Sequence, residues 1–263
     1  MLSFWNDTVV LEYGVPQHHV DPEKRRLLEE ANGEDVDLST IELLEIAKKN
    51  LKCVEGNLIE LSDFQRSGRD IKDTQGQTHI SKSRYLREDE RIDYFISHAW
   101  CDQPENKFRH LASITSAFLR AKDRSPTMWF DKHCFDQENI TESLKVLAIY
   151  LLSCDKIRIL CGPGYALRLW CVWEIFTLFA VASDEVALRR IELVTFGDDT
   201  THQHEVLERL CRFELSAAHC FDPNEEFKLK AVISAVGVAA FEARIRLLGT
   251  KIKTDLLQNK EEV

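Results

Sequence analysis

From Arg91 onward, short apolar runs alternate with amphipathic stretches, a pattern that the preceding residues lack. The runs at 92–97, 127–130, 157–161 and 191–196, with a weaker one at 217–221, read as strands short enough to be buried on both faces. Between them apolar residues recur at helical spacing over 106–122, 140–153, 165–182 and 203–213, and a long final helix is expected over 224–248. Strands alternating with helices predict an α/β fold, specifically a flavodoxin-like, doubly wound, five-stranded parallel sheet. Such sheets take ligands outside the carboxyl ends of their strands. A site is therefore expected among residues 97–105, 131–139 and 162–170.

Residues 1–90 follow no such rhythm. They are polar and charged, with one helical stretch over 39–51 that places Ile41, Leu44, Ile46 and Leu51 at apolar positions behind Asp37 or Ser39 as a cap. Residues 65–90 carry many charges, Gly68 and Gly76, and few large apolar side chains, as a linker does. The expected organisation is a charged N-terminal extension and linker over 1–90, mainly helical or loosely ordered. An α/β domain over 91–250 follows, then a polar tail over 251–263.

Charge narrows the function classes. The 263 residues carry a net charge of -10, which argues against nucleic acid or an anionic membrane surface as the main partner. No apolar window reaches the length of a membrane span, and Asp7 and Glu12 interrupt the N-terminus where a signal or transit peptide would need an uncharged or basic run. The eight cysteines lie scattered in apolar runs without the spacing of a disulfide scaffold, so free thiols and a cytoplasmic location are expected. A zinc site from His98, Cys101, His133 and Cys134 would lack the tight ligand spacing of known zinc motifs, and no metal is expected. Gly162-Pro163-Gly164 lacks the Lys-Ser/Thr ending of a phosphate loop and reads as a turn that starts a helix.

The most informative residue is Glu174, alone in the apolar segment Trp170-Cys171-Val172-Trp173-Glu174-Ile175-Phe176. Its helical neighbours at three and four positions are Cys171, Trp170, Thr177 and Leu178, none of which neutralises a carboxylate. The acid needs a distant partner such as Lys132 or Arg158, a raised pKa, or a ligand. Perturbed acids of this kind cluster at functional sites.

Four segments in order resemble the TIR domain family, of which this chain would be a divergent member. Ile92-Asp93-Tyr94-Phe95-Ile96-Ser97 is similar to its first strand, and Trp129-Phe130-Asp131 to its second strand entering the BB loop. Residues 151–160 are similar to its second helix and third strand, and Gly164-Tyr165-Ala166 followed by Trp170-Cys171-Val172-Trp173-Glu174-Ile175 to its tyrosine, tryptophan-cysteine and glutamate pattern. The resemblance covers about residues 91–222. It implies that Glu174 cleaves the nicotinamide–ribose bond of NAD, with NAD as substrate and no prosthetic group. It also implies a pocket formed by Ser97, His98, Trp100, Asp131, Lys132 and Trp170. For family members that act by assembly, it implies instead self-association or contact with other TIR-like domains through the BB loop. This chain departs from the family in two places. His98-Ala99-Trp100-Cys101-Asp102 stands where NAD-cleaving members carry basic residues, leaving His98, Lys132 or Arg168 to meet the phosphates, and the BB-loop residues 135–139 include no glycine.

Overall fold

A computed structural model describes residues 51–65, 82–87, 90–134, 140–196 and 200–261. The chain divides into two compact units, 1–51 and 52–263, and the elements described belong to the second. Residues 39–50 of the helix expected over 39–51, and the BB-loop residues 135–139, lie outside the described residues.

The architecture is α/β. Four parallel strands form its centre: β3 (Ile92–His98), β4 (Thr127–Phe130), β5 (Cys154–Cys161) and β6 (Ile191–Thr195). Two further strands, β1 (Lys52–Glu55) and β2 (Arg84–Tyr85), extend it antiparallel beyond β4, giving the order β2-β1-β4-β3-β5-β6. The strands at the centre are apolar at the positions their covered faces bury, with Ile92, Phe95, Met128, Phe130 and Ile159 all buried.

Nine helices lie among the described residues. These are α1 (Ser62–Gln65), α2 (Pro104–Lys122), α3 (Asp131–Cys134), α4 (Ile140–Ser153), α5 (Leu169–Val181), α6 (Asp184–Arg190), α7 (Thr200–Cys211), α8 (Pro223–Val236) and α9 (Val238–Glu261). Pro104 opens α2 with its φ already set, and Asp123 in the left-handed region closes it. The β3-to-β4 and β4-to-β5 crossovers run in opposite directions, so the right-handed rule puts α2 and α4 on opposite faces. Helix α5 packs against both α4 and α9. That burial on several sides explains why its sequence is apolar all round.

Three expectations need correction. The fifth parallel strand at 217–221 does not form: residues Leu215–Ala217 make a 3-10 turn, and His219 bridges only to Arg168. Its backbone is used up locally, with His219 N–H donating to Leu167 O at 2.9 Å and Leu169 N–H to His219 O at 3.1 Å. The final helix is two helices, broken at Gly237, whose φ of 102° only glycine adopts without strain. Finally, part of the expected extension belongs to the sheet. β1 buries Cys53 and Val54 against β4, and Phe64 of α1 is 2% exposed. The apolar positions Cys53, Val54, Ile59 and Phe64 are too few and too irregular to show a period amid charged neighbours.

At the amino ends of the strands a charged cleft is closed by ion pairs. Arg84 bridges Glu55 and Glu90, Arg91 meets Asp155, and Arg124 forks onto Asp93. No described helix is long and apolar enough to cross a membrane. All eight cysteines are free, and six of them are buried.

Candidate active site

The carboxyl ends of β3 and β4 and the start of α5 converge on one polar cluster. Ser97, the penultimate residue of β3, donates to Glu174 Oε2 at 2.5 Å. On its other side the Ser97 hydroxyl lies 2.6 Å from the Tyr165 hydroxyl, which also donates to Cys171 O at 3.4 Å. Ser97 is 1% and Tyr165 0% exposed, whereas Glu174 retains some contact with solvent. The second turn of α5 therefore delivers one acid to the strand ends through an otherwise apolar helix.

Neither expected ion pair forms. Arg158 pairs with Glu192 on β6, and Lys132 donates to Ser62 O at 3.4 Å and Asp63 O at 3.2 Å. Among the described residues no lysine, arginine or histidine pairs with Glu174. Burial consequently pushes its carboxyl up to about 8, against the pull of the Ser97 hydrogen bond, and the negative charge of Asp131 adds to the rise. At neutral pH the free protein holds Glu174 protonated.

Asp131 behaves in the opposite way. Its Oδ1 lies 3.3 Å from His98 Nε2 and accepts from Lys132 N–H at 2.8 Å, and its Oδ2 accepts from the Trp100 indole at 2.8 Å. Burial acts to raise this carboxyl, but the His98 imidazole and the N–H donors outweigh it and hold Asp131 below the usual carboxylate range. The site thus contains two carboxyl groups with divergent acidities, a neutral Glu174 beside an anionic Asp131.

Of the predicted site residues, Ser97, His98, Trp100, Asp131 and Lys132 gather at these strand ends, Ser97 directly on Glu174 and the others on Asp131. His98 is sandwiched by Phe130, stacked at 5.2 Å, and the edge of Trp100 at 4.7 Å. Trp170 lies one turn before Glu174 and donates to Glu225 Oε2 at 3.1 Å, tying α5 to the first turn of α8. Trp173, by contrast, belongs to the core, stacked against Phe176 and Phe241. His98 and His133 point to different carboxylates, Asp131 and Asp63. No group of three or more His, Cys, Asp or Glu side chains among the described residues could hold a metal ion.

Residues not singled out by their chemistry complete the cluster. Lys107 is fully buried, donating to Ala99 O at 2.8 Å and Trp100 O at 3.4 Å, and so holds the loop after β3 in place. Its burial lowers its pKa, while Asp102 and Asp131 oppose that shift. The signal was present in α2, where Lys107 occupies the same buried stripe as Leu111 and Thr115. Asp102 accepts the Gly164 N–H at 2.8 Å. A Cβ at Gly162 would fall 2.4 Å from the Asp102 carboxyl carbon, so the Gly162-Pro163-Gly164 turn is glycine-rich because it presses on the loop after β3.

Comparison of the chain with protein-family models, with curated proteins and with solved structures finds no match.

Proposed function

We propose that the protein hydrolyses the nicotinamide–ribose bond of NAD, with Glu174 as the acid that stabilises the ribosyl cation. The observation that carries the proposal is an acid recessed at the strand ends, partly exposed to solvent, and without a cation among the described residues to neutralise it. A cationic ligand would supply the missing charge, and the nicotinamide ring of NAD is a cation. Its approach favours the ionised carboxylate.

One acid suffices for this reaction. Ordinary glycosidases need a second carboxyl group to protonate a leaving oxygen, but the pyridinium of NAD departs as neutral nicotinamide. A carboxylate near the ribose then offsets the positive charge that develops on the sugar, in a site that excludes most water. Trp170, on the same face of α5, would wall the ring. Arg168, which has no hydrogen-bonded side-chain partner among the described residues, precedes α5 and is the residue best placed for a phosphate; His98 and Lys132 are engaged elsewhere. The parallel order β4-β3-β5-β6 supports a flavodoxin-like doubly wound arrangement, whose switch point adjoins β3.

The test is free nicotinamide released by the intact protein at high concentration. Wild type is expected to release it, with Glu174→Gln slower by a factor of about a hundred or more. Equal rates for the two proteins, or none for wild type, would remove the proposal.

The alternative role, an assembly module contacting its own copies or other TIR-like domains, is favoured by Phe221 and Phe227, which are 71% and 76% exposed.

A further inference from the structure

We propose that Tyr165 is a positioning residue for Glu174, completing a hydrogen-bond chain through Ser97 that can run in either direction and so satisfies the acid in both of its charge states. The chain is Glu174 Oε2, Ser97 Oγ at 2.5 Å, Tyr165 Oη at 2.6 Å from Ser97, and Cys171 O at 3.4 Å from Tyr165. Counting protons shows why each link is needed. When Glu174 is ionised, Ser97 donates to the carboxylate and Tyr165 donates to Ser97. When Glu174 is protonated it donates to Ser97, the Ser97 proton turns to Tyr165, and the Tyr165 proton turns to the carbonyl of Cys171. No donor is stranded in either state.

The neutral acid has a second arrangement, with its proton on Oε1 on the solvent side and Oε2 still accepting from Ser97. From there the proton passes to water, not along the chain, because a peptide carbonyl at the far end cannot accept it outright. Ser97 and Tyr165 are both buried, so no water is at hand to replace either partner. Among the described residues, the titratable groups that face Glu174 are Asp131 from α3, Tyr165 from the turn before α5, and the Cys171 thiol on α5 itself, which donates to His98 O at 3.4 Å.

The two links should act through one another. Ser97→Ala deletes the donor to the carboxylate itself, so Glu174 becomes less acidic. Tyr165→Phe removes the hydrogen bond that polarises Ser97 toward the ionised acid, whereas the neutral acid still satisfies Ser97 through its carbonyl oxygen; Glu174 therefore becomes less acidic by a smaller amount, and only while Ser97 is present. A site governed by dryness alone would show no such dependence of one variant on the other.

This inference deepens the role proposed for Glu174, yet its test needs no NAD. The infrared carbonyl band of the neutral carboxyl, assigned as the one lost in Glu174→Gln, is followed as pH rises in the ligand-free protein. Ser97→Ala should raise the midpoint by about one unit, a tenfold loss of acidity, and Tyr165→Phe should raise it by less. Tyr165→Phe should then shift nothing further in the Ser97→Ala background. A lowered or unmoved midpoint in Tyr165→Phe, a larger shift there than in Ser97→Ala, or an undiminished Tyr165→Phe shift without Ser97 would each overturn the chain. The expected shifts in a protein that leaves NAD intact would keep the chain and sink the activity.

Discussion

Two acidic side chains show how position decides what a carboxylate does in this protein. Asp93, at the amino end of β3, is locked by the forked guanidinium of Arg124 at 2.7 and 2.8 Å and by Thr127 N–H at 2.8 Å. Burial opposes ionisation there, but those donors win and the carboxyl lies below its usual range. A depressed pKa contributes stability that is present above the unfolded value and lost as pH falls through the folded one. Asp93→Asn should therefore cost about 2 kcal/mol at neutral pH, and its deficit should shrink on acidification below about pH 4, measured by denaturant unfolding across pH. Glu174 has the opposite sign. Its folded pKa is raised to about 8, so the folded state holds a proton that the unfolded chain releases, and stability declines as pH rises from the unfolded value toward 8. Glu174→Gln keeps the shape without the proton and should be stabilising at pH 8 relative to wild type. A gain of about 1 kcal/mol or more, roughly 2–4 °C in Tm, would vanish near pH 4. That gain would be the signature of a residue kept at a cost to stability.

At the level of elements, the parallel strands β3 and β4 were legible because each is a short apolar run bounded by polar residues; β5 begins three residues before its expected start, at Cys154. Glu174 was legible for a related reason, since a single charge stands out in an apolar helix. Tyr165 was visible only as part of a motif, because its contact with Ser97 spans 68 residues and leaves no local trace. The edge strands were harder still: β1 has four residues and β2 two, and their pairing partners are far away in sequence. Their importance is testable. A protein beginning at Lys52 retains β1, β2 and Phe64, whereas one beginning at Arg91 leaves the β4 edge bare and uncovers His98 and Phe130, on which Phe64 packs. Counting the buried Val54, Ile59 and Phe64 alone, the loss is on the order of 5 kcal/mol. The shorter protein should melt far below the one beginning at Lys52 in a thermal scan, and similar melting points would show that β1 and α1 are dispensable.

For the whole molecule, the sheet separates two kinds of chemistry at its two ends. Arginines and acids at the amino ends neutralise one another, fastening β2 to β1 and the residues before β4 to β3. At the carboxyl ends, Asp131 is satisfied by its own donors, whereas Glu174 has no cationic partner among the described residues. The strand-and-helix rhythm located this face but could not reveal the imbalance on it, which depends on where Arg158 and Lys132 turn after folding. The role of Glu174 turns on whether its ionisation governs turnover. The direct measurement is kcat/KM for nicotinamide release from NAD across pH, which reports the acid of the free enzyme. The predicted profile rises with a midpoint near pH 8 in wild type and is low and flat in Glu174→Gln. A midpoint in the ordinary carboxylate range, or the same rising profile in Glu174→Gln, would contradict it.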